Sequence, residues 1–386
     1  MIESGLEYIV LLVLIASAIV LAEKKTQARL FAYLPSIVIL YFTVMLFSTF
    51  GVWGKTPEIT ATYTTLKANL LPAMIFLLLL SADIRHIARL GKKMILTFLL
   101  ASVSIAIGFI VMFALLHTYF EPDSWRAFAA LSGSWMGGTG NMVAIQGALD
   151  VPDSKMGYAL LIDSIDYAIW VMILLSLVPF AGRFNRWTKS DTSVIDEVGA
   201  KLALNQQAHH TAPLSLFTLL SAAGLVSVTS QWLAALLPTT DFLTQTTWVV
   251  ILATLAGILL AMTPLAKMPG SMRLGNMMLY LLVALIASRA NFAELTEAPL
   301  YIFGGFIIIT VHAVVMILFA KLFRLDLFSI GVASLANIGG VASAPILASA
   351  YSKALIPIGI LMAMMGYILG TFGGLMVGKV LEMIGG

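Results

Sequence analysis

Residues 131–146 read LSGSWMGGTGNMVAIQ, a glycine-rich interruption inside a long apolar run. Gly133, Gly137, Gly138 and Gly140 fall within eight positions, and each Gly costs a helix interior about 1 kcal/mol relative to Ala. An unbroken helix is therefore not expected here. A bare loop in hydrocarbon would leave backbone N–H and C=O groups unpaired, so such a break survives only where protein buries it or where it lines a wet cavity. The stretch predicts a cavity at membrane depth, and with it a solute.

A second stretch, residues 334–349, reads SLANIGGVASAPILAS. Setting Gly137–Gly138 over Gly339–Gly340 also puts Ser132 over Ser334, Asn141 over Ser343 and Ala148 over Ala350. With a two-residue gap after that, Tyr167 falls on Tyr367 and Ala159 on Gly359. The match is weak in identity and long in pattern. PAMIFLLLLSADI from Pro72 and YLLVALIASRANF from Tyr280 pair in the same way, with Asp83 facing Asn291.

Composition sets the class. Of 386 residues, 60% are hydrophobic and 11% charged, where soluble domains carry about 25% charged residues, so the chain is an all-α polytopic membrane protein. A net charge of +3, spread over short loops, points to no nucleic-acid partner. The lack of any cysteine removes disulfides, thiolate metal sites and cysteine nucleophiles together. Of five histidines only His312 lies inside an apolar run; His86 and His117 sit at span ends and His209 and His210 in a polar loop.

At roughly 20 residues per crossing, hydropathy offers twelve spans, near 6–22, 30–50, 70–84, 94–116, 127–149, 156–181, 214–237, 248–266, 277–290, 300–322, 327–351 and 354–380. The polar stretch 182–213 divides a first half, 1–181, from a second, 214–386. Lys24, Lys25 and Arg29 follow the first span, and Arg85, Arg89, Lys92 and Lys93 follow the third, which places both loops in the cytoplasm. The loop after the ninth span, partner of the basic loop after the third, carries Glu294 and Glu297. Partner loops of opposite charge suggest inverted halves. Six plus six alternating spans would give parallel halves instead, so inversion asks for one crossing more or fewer near the linker.

Asp163 and Asp166 stand inside the sixth span, three apart and so on one helical face. A carboxylate at mid-bilayer is costly and marks an ion or proton site or a buried, bonded structural group. Thr139, Asn141 and Gln146 near the first break, and Asn337, Ser343 and Ser349 near the second, suit two jobs: satisfying unwound backbone or binding a polar solute. The glycine pairs suit either close backbone approach to a solute or small-residue helix packing. Half-helix N-termini would receive an anion, and Arg289 is either its partner or an interfacial cation. MGGTGN lacks the lysine of a phosphate-binding loop. No His–carboxylate metal set or Ser–Lys pair appears at helical spacing, so an intramembrane enzyme is a poor reading.

With both breaks and the aspartate pair in view, GSWMGGTGN (133–141) and SLANIGGVASAPILA (334–348) resemble the YjcL-like family of uncharacterised bacterial integral membrane proteins. That family is placed in the superfamily that also holds the cation–proton antiporters, the bile acid sodium symporters and the sodium/glutamate symporter. The resemblance covers nearly the whole chain. It implies a core domain with two discontinuous helices crossing at Gly137–Asn141 and Gly339–Ser343, a panel domain for dimer contact, and elevator-like movement of the core. The superfamily's antiporters carry an essential acid or acid pair on the helix after the first break; Asp163 and Asp166 occupy a comparable place, three apart and not adjacent.

The expectation is a secondary active transporter of inverted-repeat architecture in a bacterial cytoplasmic membrane, working as a homodimer on a small polar, anionic or zwitterionic organic solute. Substrate contacts are expected at Gly138, Thr139, Gly140, Asn141, Asn337, Gly340 and Ser343. Asp163 and Asp166 are expected to couple transport to H⁺ or to Na⁺, the latter with Thr139 and Asn141 as further ligands, and no other cofactor is implied. The alternatives are a cation–proton antiporter without organic substrate and, further off, a non-transporting membrane protein or an intramembrane enzyme.

Overall fold

The computed structural model describes residues 1–26, 35–82, 84–191, 213–240 and 242–385. Arg29, Asp83, Lys201, His209 and His210 lie outside them. The described residues fold as helices: α1 (Gly5–Thr26), α2 (Ser36–Thr49), α3 (Pro57–Leu80), α4 (Gly91–Leu116), α5 (Ser124–Gly137), α6 (Thr139–Ala148), α7 (Met156–Leu177), α8 (Ala181–Thr188), α9 (Pro213–Ala234), α10 (Gln245–Leu260), α11 (Ser271–Ala287), α12 (Ala298–Phe323), α13 (Leu327–Ile338), α14 (Gly340–Tyr351) and α15 (Ile356–Gly385). Among the described residues, seven helical segments are long and apolar enough to cross a membrane. The chain is a multi-pass membrane protein.

Hydropathy misplaces the third span, which starts at Pro57 and not near residue 70. Thr56 caps it, accepting from the Ile59 N–H at 3.2 Å, and proline at the first helical position is pre-set for a helix. Thr60, Thr64, Lys67 and Asn69 lower the hydropathy of its first turns without ending it.

The expected crossing of two discontinuous helices is not what the chain builds. At 1.5 Å per residue α5 and α6 are about 21 and 15 Å long, each short of a hydrocarbon core of about 30 Å. Laid end to end they would part Trp125 from Leu149 by about 36 Å. Instead both flank Gly378: a Cβ placed there would lie 3.2 Å from Leu149 Cδ1 and 4.0 Å from Trp125 Cζ3. The pair is thus a helical hairpin that turns at Gly138 and returns to the end it came from. α13 and α14 repeat this about Gly339–Gly340, since Phe328 near the start and Tyr351 at the end stack edge to face at 5.3 Å.

Glycine lets the first hairpin seat. A Cβ on Gly370 would stand 2.8 Å from Gly137 Cα, and one on Gly374 would stand 2.9 Å from Gly133 Cα. Gly366, Gly370, Gly374 and Gly378 recur every fourth residue, so one face of α15 is bare backbone on which α5 lies.

Two bodies result. α1, α2, α3, α9, α10 and α11 pack among themselves, and α4 to α7 pack with α12 to α15, so each body draws helices from both halves of the chain. Their seam runs along α6, which meets α3 and α10. Gly140 receives Leu78 of α3, where a Cβ would come within 2.7 Å of Leu78 Cδ1, and Gly147 receives Leu71.

Charge differs between the two ends of the molecule. Lys93 pairs with Asp326 at 3.0 Å, and Asn185 accepts from the Leu327 N–H, gathering Lys92, Lys93, Arg183, Arg186, Lys321 and Arg324 at a basic end. At the opposite end Gly5 donates to Glu58 at 2.7 Å and Lys155 pairs with Glu121.

Gly374→Val should drive a side chain into the α5 backbone and lower the melting temperature of the purified protein by several degrees, in the range of an overpacked core at about 1–3 kcal/mol. Gly224→Ala on α9, where a Cβ meets nothing within 4 Å, should be neutral or mildly stabilising in the same measurement.

Candidate functional site

The two hairpin tips face one cavity of about 270 Å³. The core body lines it with Ser134, Gly138, Thr139, Gly140, Asp163, Tyr167, Tyr367 and the tip residues 338–342. The other body contributes Pro35, Ile37, Leu78, Asn276, Leu279 and Tyr280, which lie at or near the basic ends of α2, α3 and α11. The cavity therefore sits in the seam, displaced toward the basic end.

Each tip turns on a glycine. Gly138 has φ +91° and Gly340 φ +60°, a left-handed region that costs other residues roughly 1–2 kcal/mol. The first N–H groups of α6 and α14 have no carbonyl one turn back to bond, and both positive helix ends address the cavity. Neighbouring glycines serve different ends here, since Gly138 makes the turn whereas Gly137 lies against the backbone of Gly366.

Opposite the tips stands Asp163. Its carboxylate accepts from Trp135 Nε1 at 3.0 Å and from Ser134 Oγ at 3.2 Å. It is thus anchored by two donors while facing the cavity, together with the Thr139 hydroxyl. These groups suit a cation, and the helix N-termini suit an anion.

The other expected residues go elsewhere. Asn141 is used up by backbone and helix contacts: its amide donates to Gly137 O at 2.7 Å, and its Oδ1 accepts from Thr371 at 2.6 Å. Asn337 donates to Ala333 O at 2.9 Å and accepts from Ser102 at 2.7 Å. Ser343 is buried and donates to Leu335 O at 3.4 Å. Asp166 is buried against Gly305 of α12 and does not line the cavity, and neither of its oxygens has a hydrogen-bond partner among the described residues. Of the four residues expected to hold Na⁺, the cavity brings together Asp163 and Thr139, not Asp166 or Asn141.

His312 bonds Ser104 through Nδ1 and Ser334 through Nε2, each at 2.7 Å, which ties α4 and α12 to the second hairpin. Arg289 lies over the Tyr63 ring at 4.9 Å and donates to Thr60, at the opposite end from the basic face. Sequence reasoning passed over Tyr167, Tyr367, Asn276 and Tyr280 as site residues. The alignment of Tyr167 with Tyr367 was the available signal for two of them.

A family model described as "Protein of unknown function (DUF819)" matches residues 10–384. The chain belongs to the DUF819 family. It is similar to the "Uncharacterized membrane protein YjcL" of Bacillus subtilis (strain 168), with 25% identity over 358 residues, covering 84% of this chain and 85% of that protein. In this DUF819 protein, then, the site rests on its own geometry.

Because a Cβ on Gly340 meets nothing within 4 Å, the cost of substitution there is conformational. Gly340→Asn should keep more stability than Gly340→Val, by about 1 kcal/mol, since Asn visits the left-handed region more readily than a β-branched residue. Thermal unfolding of the two purified variants checks the order.

Proposed function

We propose that this protein is a secondary active transporter of a small polar organic solute, anionic or zwitterionic, coupled to Na⁺ or H⁺ through Asp163. One observation carries the reading: two hairpin tips and an anchored intramembrane carboxylate share a cavity at the seam between two helical bodies. At ~30 Å³ per water, the cavity has room for roughly nine waters or for a solute of amino-acid size. The tips would take the solute's negative group, and Asp163 the coupling cation or the solute's positive group. If Na⁺ is the ion, the Asp163 carboxylate with the Ser134 and Thr139 hydroxyls forms an oxygen donor set of the required kind.

The hairpins also support inversion of the halves. A hairpin that returns to its own end adds no crossing, so among the described residues five helices in each half are left to cross when the shorter α2, α10 and α11 are counted with the long ones, and an odd number inverts the second half relative to the first. The missing crossing is then at the hairpins and not near the linker. With the basic end cytoplasmic, the first hairpin enters from outside and the second from the cytoplasm. The separation into two bodies suits elevator-like movement of the body that carries the hairpins.

Two experiments test this. A thermal-shift screen against metabolite pools, with Na⁺ and K⁺ compared over a range of pH, should find a stabilising solute whose effect depends on Na⁺ or pH. Asp163→Asn should abolish that dependence and Asp166→Asn should keep it; dependence surviving in Asp163→Asn would place coupling elsewhere. Single cysteines replacing the exposed Lys92 and Thr296 should react with an impermeant maleimide from opposite faces, cytoplasmic for the first and external for the second.

A further inference from the structure

The seam is fastened unevenly. Hydrogen bonds between the two bodies gather where the first hairpin leaves the membrane, on residues 148–153. Tyr63 of α3 donates to Asp153 Oδ2 at 2.5 Å, and Lys67, one turn on, reaches Asp153 Oδ1 at 3.4 Å and Tyr63 Oη at 3.1 Å. Tyr41 of α2 donates to the Asp153 carbonyl at 2.9 Å, and Thr247 of α10 donates to the Ala148 carbonyl at 2.7 Å. From within the hairpin Gln146 steadies the loop, donating to Asp153 Oδ1 at 2.9 Å and to Val151 O at 3.1 Å.

Toward the basic end the seam changes character. Leu71 and Leu78 lie in glycine sockets on α6, and beyond them the cavity separates the bodies. Beside the Asp153 cluster a second cavity of about 390 Å³ runs from Tyr63, Thr64, Lys67 and Asp150 inward as far as Leu71 and Gly147. The cluster thus fastens the wall of an outer vestibule, and the leucine sockets lie between that vestibule and the site.

We infer that Asp153, gripped by Tyr63 and Lys67, is the latch of an outer gate, and that the structure is the inward-open member of a pair of conformations. This rests on the transporter reading above. Apolar contacts along α6 are non-directional and can re-form with new partners once the bodies have shifted. A charge-assisted hydrogen bond is directional and is lost once its partners separate. Movement of the hairpin body away from α3 at the outer end must first break the grip on Asp153. The latch therefore sets how often the outer end opens.

The chain's natural lack of cysteine gives a direct test. Ala342→Cys puts one thiol on the cavity wall at the second hairpin tip, and an impermeant maleimide is applied to sealed vesicles of each orientation. With the latch intact, labelling should be faster from the cytoplasmic side. Asp153→Asn, and separately Tyr63→Phe, should shift the ratio of the two rates toward the outside by about tenfold, which corresponds to about 1.4 kcal/mol of preference supplied by the latch. An unchanged ratio in monodisperse Tyr63→Phe protein would overturn the latch, whether or not Asp153→Asn folds. Labelling needs no solute, so it can succeed or fail independently of the ion-dependence test on Asp163.

Discussion

Everything at the centre of this molecule depends on how closely two backbones approach. A helical hairpin that stops halfway through a bilayer leaves unpaired peptide groups at its tip and must be held there by protein. Lipid offers no hydrophobic drive to bring helices together, so the hold comes from close packing. The four-residue repeat of glycines on α15 supplies it, letting α5 lie against bare backbone at Gly133 and Gly137. Asn141 then closes the arrangement, bonding Gly137 on its own hairpin and Thr371 on α15. With the tip fixed, Gly138 can turn and present the start of α6 to the cavity.

The second hairpin also meets a glycine of α15, since a Cβ on Gly359 would stand 2.8 Å from the Ala344 backbone, and it adds polar anchors. Asp326 caps α13, accepting from the Ser329 N–H at 2.7 Å and pairing with Lys93, while His312 and Trp170 both reach Ser334 at mid-helix. Polar side chains here supplement the glycine contact. The halves are unequal in chemistry as well, since Asp163 and Asp166 have Ala363 and Gly366 as counterparts. One tip therefore faces a carboxylate contributed by its own half, and the other borrows it.

The place of both breaks was legible in the sequence, because glycines clustered inside an apolar run weaken a helix wherever they fall. Their geometry was not. A crossing helix and a returning hairpin share the same local pattern, and what separates them is the meeting of Trp125 and Leu149 at Gly378, more than 200 residues away. Helical spacing put Asp163 and Asp166 on one face, yet three residues still leave them about 60° apart. That angle is enough for Ser134 and Trp135 to take the first while the gap at Gly305 receives the second. Asn141, Asn337 and Ser343 looked like ligands because polar groups are scarce in such runs, but broken backbone has its own demand for hydrogen bonds and used them. Asn276 and Tyr280 sit at ordinary positions of a span and become site residues only when α11 is packed against the tips.

The two glycine sockets on α6 have a mechanical meaning. Gly140 and Gly147 are seven residues apart, as are the leucines they receive, Leu78 and Leu71, and α6 runs antiparallel to α3. Seven residues are close to two helical turns, or about 10.5 Å of rise. The fit of socket to knob therefore recurs only after a displacement of that whole length, when Gly140 comes level with Leu71. At any smaller displacement the leucines meet side chains. The contact behaves as a detent with widely spaced stations, which favours end positions over intermediate ones and gives any sliding of one body past the other a natural stride.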